Sequence, residues 1–389
     1  MIARRIVAAI AAIIVAALVV GNAAVQSFAV TKPATAARIW AHHPATEISL
    51  AITEIARAAH DRRAVPSSVF ELMGDAASKE PLAPEPFLVR GVQAQLAGDR
   101  ATAQKAFEAA QWRDPRSLPA AYFLAERYFQ KGDVDRGLRE IAAVARLAPN
   151  GESTVGPYLA IYARNPANWP KLRTLLRANP RLADTTLVAL ASNVATVPAV
   201  LSLADPRQPT AQAQWLAPLL NTLTSAGQYA WARTIWGRSA AAHPGELIHD
   251  ASFNDKSSPP PFNWTLTSSG VGLAERQSGG RLRVLFYGQD DGILATQLLL
   301  LEPGTYELSM RLLGDAARAK LLTWSIWCDK AGAPISSVTI DAATHGWRFE
   351  VPSGCAAQWL KLSGSSSDIA EQVDVSITAL KLERVKTGA

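Results

Sequence analysis

Cysteine is scarce, with only Cys328 and Cys355 among 389 residues. That excludes a disulfide-dense scaffold and a zinc site built from four thiolates. Charge is also thin, at 19% against 49% hydrophobic residues. Such a chain is too apolar for disorder and long enough for more than one packed core. There is no Lys/Arg run with interleaved aromatics, which argues against nucleic acid as a partner. A P-loop, an H-E-x-x-H, a G-x-S-x-G and a dinucleotide fingerprint after a strand are all missing. The six histidines (His42, His43, His60, His243, His249, His345) are scattered, and His249 beside Asp250 reads as a turn residue rather than a base. Nothing sets Glu302, Asp341 or Glu350 in opposed pairs, as glycoside hydrolysis requires. The acidic turn Asp290-Asp291 reads as solvated. The expectation is a non-catalytic protein with no cofactor and no metal; a glycan-active enzyme assembled only in three dimensions is the remote alternative.

What is present is unevenly spread. The net charge of +6 divides into +9 over residues 1–244 (26 Lys+Arg, 17 Asp+Glu) and −3 over 245–389 (13 and 16). At roughly 100–200 residues per domain the length suggests two or three domains, and the asymmetry favours modules of different kind.

The chain opens with Arg4-Arg5, followed by Ile6 to Val20 without a polar side chain. Allowing Gly21 and Asn22, residues 6–25 are the predicted membrane span, since about 20 helical residues cross a bilayer core of about 30 Å. The preceding positive charge keeps the N-terminus cytoplasmic and sends the rest across. A cleaved signal peptide with Gly21-Asn22-Ala23 at its cleavage site is the alternative, and would make the protein secreted. Either reading exports the body of the chain. Export suits a bond between Cys328 and Cys355, both in strand-like segments; two buried free thiols are the other possibility.

In the middle of the chain a 34-residue rhythm appears. Gly98-Asp99 recurs as Gly132-Asp133, and Pro115 as Pro149. Between these markers Phe87, Gly91, Ala103, Phe107 and Ala110 correspond to Ala121, Ala125, Gly137, Ile141 and Val144. The pattern resembles the tetratricopeptide repeat (TPR) family. Small pairs such as Gly91/Ala103 and Ala125/Gly137 let two helices approach closely, and a proline ends the second. A third unit is visible over Leu216–Pro244 through Gly227, Ala232 and Trp236. Residues 152–212 and 35–80 read as helical without the motif. The resemblance implies a stack of antiparallel helix pairs over 34–244, and a groove for a protein partner lined by Leu88, Val92, Gln95, Tyr122, Glu126 and Phe129. Tyr122 and Phe129 have a plainer alternative as packing residues.

After Ser257-Ser258-Pro259-Pro260-Pro261 helical periodicity stops, and short alternating segments predict strands at 281–287, 294–301, 305–312, 321–328, 347–351, 358–362 and 373–382. These suggest an antiparallel, jelly-roll-like β-sandwich over 246–389. The segments from Asp250 to Trp264, "LLLEPGTYEL" and "LTWSIWC" resemble carbohydrate-binding-module or galactose-binding-like domains. An anchor joined to such repeats and such a sandwich is similar to bacterial membrane-anchored TPR proteins associated with exopolysaccharide. Alternation places Trp324 and Trp347 in the core. Tyr287, Trp327 and Trp359 sit on otherwise polar faces and are the candidate glycan platform; packing against the helical stack is their plainer reading.

The expected architecture is therefore a multidomain α plus β chain. It comprises an anchor or signal segment (1–30), a helical repeat domain (34–244) and a β-sandwich (246–389). The expected role is a periplasmic adaptor on the bacterial inner membrane, single-pass, holding a protein partner through its repeats and a polysaccharide or a second protein through its sandwich. A glycan-binding module on a helical spacer is the alternative.

Overall fold

The structure, a computed structural model, describes residues 2–207, 213–238, 245–315, 317–341, 346–367 and 370–385. Pro244, expected to close the third repeat, lies outside them, as do His243 and His345. The chain divides into two compact units, Met1–Val155 and Gly156–Ala389.

The first unit is entirely helical. Helix α1 (Ile2–Ala29) contains an 18-residue stretch of mean hydropathy 2.6 and is long and apolar enough to cross a membrane. It runs past the apolar stretch, and its last turns bury Val25 and Ala29 against Ala36 of α2 (Pro33–Ile39). Three hairpins follow: α3 (Pro44–His60) with α4 (Ser67–Lys79), α5 (Glu85–Leu96) with α6 (Arg100–Arg113), and α7 (Leu118–Gln130) with α8 (Val134–Leu147).

The 34-residue rhythm has a local cause. At the end of α5, Gly98 takes φ +78°, its N–H reaches the Gln95 carbonyl, and the Asp99 N–H reaches that of Ala94. This pairing is the Schellman motif, which needs a left-handed residue and so favours glycine. Asp99 then caps α6 by accepting from the Thr102 N–H at 3.0 Å. Gly132 and Asp133 repeat every element of this turn, with φ +77° and a 3.2 Å cap to Arg136. One turn chemistry thus ends a helix, reverses the chain and starts the next helix.

The packing follows from the small residues. Phe107 of α6 lies against Gly91 of α5, where a β-carbon would stand 2.8 Å from its ring. The same ring stacks on Phe123 of α7 at 4.0 Å between centroids, which couples one hairpin to the next. Phe107, Leu124, Tyr128, Ala103 and Ala120 form the buried core between them.

The second unit begins within α9 (Gly151–Tyr162). It continues through α10 (Trp169–Ala178), α11 (Pro180–Ala191), α12 (Val197–Leu203), α13 (Leu216–Ser225) and α14 (Tyr229–Gly237). The turn between α13 and α14 is again a Schellman turn, with Gly227 at φ +76°, but Gln228 replaces the capping aspartate and makes no side-chain cap. Ala232 and Trp236 are fully buried. The compact unit joins these last helices to the strands, whereas composition changes only near residue 245.

Two antiparallel five-stranded sheets complete the unit. One has the order β1 (Thr265–Leu266), β4 (Gly292–Leu299), β9 (Gln358–Gly364), β6 (Leu322–Cys328), β7 (Pro334–Thr339). The other has β2 (Gly272–Gln277), β3 (Arg281–Phe286), β10 (Val373–Arg384), β5 (Gly304–Gly314), β8 (Trp347–Val351). Both contribute to one core: Leu282, Val284, Phe286, Tyr306 and Ile377 from the second sheet meet Trp324, Ile326 and Leu360 from the first. Trp324 and Trp347 are buried, as alternation requires. Strand β10 changes inward parity at a bulge between Thr378 and Lys381, where Ala379 has φ +49°. Its buried residues switch from Val373, Val375 and Ile377 to Leu380 and Leu382. A Cys328–Cys355 disulfide links the end of β6 to the loop before β9, with the α-carbons 5.6 Å apart.

The first-unit packing makes a differential prediction. Gly91→Ala drives a methyl into the Phe107 ring and lowers helical-unit stability by about 1–3 kcal/mol through overpacking. Trp112→Ala, on an exposed side chain, leaves it within about 0.5 kcal/mol. Urea unfolding of the detergent-solubilised chain, followed by far-UV circular dichroism, checks this; equal losses for the two variants contradict the close-approach account.

Candidate functional site

The groove expected on α5 and α7 resolves into three kinds of position. Leu88 is half-buried and packs on the Phe107 core, and the ring of Phe129 lies over Gly137, 3.1 Å from where a β-carbon would stand. Val92 and Tyr122 are each 50% exposed, and Leu96 beside them is 80% exposed. Gln95 and Glu126 are brought together, lining a small cavity with Arg100, Phe123, Arg127 and Gln130. The structure therefore gathers two of the six residues at one place, leaves two on the open surface and uses two for packing.

The cavity holds about 70 Å³. At roughly 30 Å³ for a water molecule, that is room for a carboxylate or one side-chain tip rather than a cofactor. Its charge is two guanidiniums against one carboxylate, and Glu126 already accepts from Gln130 Nε2 at 2.9 Å. Arg127 Nε is buried without a hydrogen-bond partner. A buried donor left unpaired costs roughly 1–3 kcal/mol. Neither Arg100 nor Arg127 was singled out by the sequence. Arg100 follows the Gly98-Asp99 turn at the start of α6, a position fixed by the repeat register and therefore findable.

Behind this face Tyr128 is held rigidly. Burial and a 2.9 Å bond to Glu108 push its hydroxyl up to about 12, while Arg136 stands 5.5 Å from its ring. Another, larger hollow of about 330 Å³ lies between α4 and α5, with Phe70, Met73, Gly74, Phe87 and Arg90 among its walls. Arg113 covers the Phe87 ring at 3.6 Å.

On the sandwich, Trp327 and Trp359 are directly opposite each other on β6 and β9, both half-buried. Lys361 Nζ stands 4.4 Å from the Trp327 ring centre. The Trp359 indole N–H donates to Asp329 at 2.8 Å, Asp329 is bonded to the Tyr229 hydroxyl of α14, and Lys330 donates to the Ser225 carbonyl at 3.1 Å. Tyr287 is not gathered with this pair; it follows β3 in the other sheet. Asp291 accepts from the Ser366 N–H and hydroxyl, both at 2.7 Å, which ties two loops and holds its carboxyl below the usual carboxylate range. Among the described residues no cluster of His, Cys, Asp and Glu is arranged for a metal. Glu302 pairs with Arg384 at 2.8 Å.

The buried polar centre of the second unit escaped the sequence reading. His249 is 5% exposed, with Nδ1 3.2 Å from Glu246 and Nε2 2.8 Å from Asp255. Carboxylates only accept, so this bonding is complete when both ring nitrogens carry protons. Its backbone is clamped to the buried Gln297 of β4 by two bonds, at 3.2 and 2.9 Å. Trp236 of α14 packs edge-on against the imidazole at 4.8 Å and donates to the Pro259 carbonyl at 2.8 Å. Burial acts to raise the Asp255 carboxyl, but bonds from Ser258, His249 and the Ser257 N–H outweigh it and hold the group well below the usual carboxylate range. The cluster fastens the last helical hairpin to the sandwich.

No protein-family model matches the chain, and no curated protein matches it. Solved structures do. One is accessory secretory protein 1, 2 and 3 of Streptococcus pneumoniae, at 11% identity and TM-score 0.26, covering 38% of this chain and all of that one. Another is YrrB, described as a TPR protein with an unusual peptide-binding site, at 13% and 0.23, covering 43% and 90%. A third is yeast Tom70, at 16% and 0.26, covering 54% of this chain and 45% of that one. Likenesses at this level carry no argument about function.

The His249 cluster predicts an acid-sensitive joint. An unfolded aspartate titrates near 3.9, and Asp255 titrates lower when folded. Its stabilisation is therefore present above about pH 4 and is lost as pH falls through the folded value. Asp255→Asn weakens the unit by about 1.5–3 kcal/mol at pH 7, as expected for a lost charged hydrogen bond, and flattens the decline below pH 4. Thermal unfolding by tryptophan fluorescence from pH 7 to 3 measures both; parallel curves for parent and variant contradict the assignment.

Proposed function

We propose that the chain is a non-catalytic scaffold held at the periplasmic face of a bacterial inner membrane, with residues 1–30 as its anchor. Its helical repeats, within 34–244, hold a protein partner. The observation that carries this reading is the cavity lined by Gln95, Glu126, Arg100 and Arg127, in which two guanidiniums stand against one carboxylate. Exposed apolar side chains next to a small cationic recess suit a peptide segment with a hydrophobic residue and an acidic group. Tethering to the membrane raises the partner's effective concentration without any further contact.

A second reading, for the sandwich at 246–389, rests on the Trp327–Trp359 pair with Lys361 above it. Half-exposed indoles beside a cation fit the apolar face and acidic substituent of a charged polysaccharide, and a role in exopolysaccharide assembly would follow. Tyr287 would contribute separately, from the other sheet.

The test uses the full chain in membranes with a photo-crosslinker replacing Tyr122 or Trp112. The reading expects a protein adduct from position 122 and none from 112. Adding Arg100→Gln and Arg127→Gln lowers that adduct about tenfold or more, since charged hydrogen bonds contribute about 1.5–3 kcal/mol each. An adduct unchanged by the two substitutions overturns the cationic recess. For the sandwich, the expectation is quenching of tryptophan emission by acidic polysaccharide that Trp327→Ala abolishes; an unaltered response overturns the glycan platform.

A further inference from the structure

The far end of α1 is covered by protein, and that changes how much of the helix is left for lipid. Gly21, Ala24, Val25, Phe28 and Ala29 form one stripe of the helix that is buried or half-buried, and Val25 and Ala29 pack with Ala36 and Ala45. Asn22 Oδ1 accepts from His43 Nε2 at 2.8 Å; His43 Nδ1 accepts from the Ala45 N–H, so the ring is neutral with its proton on Nε2. The other faces of this stretch carry Gln26 and Ser27, both exposed. Beyond Gly21 the helix is therefore amphipathic and partnered, a helix of the folded head.

Only Ile6–Val20 is apolar on every side and free of protein contact. Fifteen residues at 1.5 Å each span about 22 Å, against about 30 Å of bilayer hydrocarbon. The shortfall of roughly 8 Å has to be met by thinning the bilayer or by drawing neighbouring residues into it. At the Gly21 end the neighbour is already in place. Helix α2 folds back along α1, and Trp40 reaches the level of Gly21, where a β-carbon would stand 3.9 Å from its ring. Trp40 is 39% exposed and Ile39 43%. Arg38 and His42 flank them, both exposed. An apolar pair that includes an indole, bordered by the Arg38 guanidinium and an exposed histidine at the edge of a short span, matches the composition favoured at the lipid headgroup level.

We infer that the Ile39–Trp40 rim of the head inserts into the membrane interface, so the bilayer is held by the folded head as well as by α1. The inference rests on reading α1 as a retained anchor. It shortens the lipid-facing span from residues 6–25 to Ile6–Val20 and assigns Asn22 and His43 to the base of the head. It also fixes the height of the partner-binding hairpins above the membrane, because α2 leads directly into α3.

The native cysteines are bonded to each other, so one introduced thiol can be labelled alone. A polarity-sensitive fluorophore is placed in the full chain at Val15→Cys, Ile39→Cys or Ala97→Cys. Each protein is reconstituted in phosphatidylcholine–phosphatidylglycerol vesicles with and without nitroxide-labelled lipid. The expected result is blue-shifted emission quenched by nitroxide at both 15 and 39, and neither effect at 97. Quenching at 15 with position 39 behaving like 97 overturns the rim contact and leaves the anchor standing. No quenching at 15 overturns the anchor reading, and the rim contact with it. Trp40→Ser should reduce the blue shift at position 39 without changing that at 15; an unchanged shift at 39 also counts against the inference.

Discussion

Two helices bury their shared stripe only if the chain between them reverses within a few residues and their axes come close enough for contact. In the α5–α6 and α7–α8 hairpins both conditions are met by glycine, used in two different ways. Gly98 and Gly132 supply the left-handed residue that closes a Schellman turn, and Gly91 and Gly137 remove the β-carbon that would hold an aromatic ring away. Everything else in the hairpins follows from these. The Phe107 ring, let in over Gly91, meets Phe123 and aligns α7 beside α5. That alignment brings Gln95 and Glu126 to one recess, while Val92 and Tyr122 stay exposed.

The repeat was legible because the turn requires particular residues at a fixed interval, and Asp99 and Asp133 add a cap that few other side chains supply. Every strand inside a sheet was legible, and so was the edge strand β8. Strands β3, β8 and β9 show the cleanest alternation, because one side is buried and the other is not, whereas β4 is buried on both faces over Leu298–Leu299. The three that escaped, β1, β2 and β7, are all at sheet edges. An edge strand carries polar residues such as Ser336 and Ser337 or begins with a proline such as Pro334, which weakens the period-two signal. The bulge at Ala379 escaped for another reason: no glycine marks it, and only the change in inward parity betrays it.

The functional residues divide on the same line. Positions on a helix face can be counted from the repeat, which is how Gln95 and Glu126 were found. Which of their neighbours pack and which stay open depends on the next hairpin: Leu88 and Phe129 turn inward, while Arg100 and Arg127 complete the recess. His249 was read as a turn residue, and its burial was not legible for a stronger reason. Its partners Glu246 and Asp255 are close in sequence, but Gln297 and Trp236 come from a strand and a helix on either side of it. Together with the links from Asp329 and Lys330, that cluster makes the last hairpin part of the sandwich's own folding unit. The change in composition near residue 245 falls within that unit.

The disulfide encloses more than a loop. Between Cys328 and Cys355 the chain contributes β7, the outer strand of one sheet, and β8, the outer strand of the other. Margins of both sheets thus belong to a single covalent ring. Were a protease to cut the backbone anywhere inside that ring, the two fragments would stay joined through sulfur and migrate as one species until reductant was added. A nick at either of these margins therefore leaves the molecule in one piece.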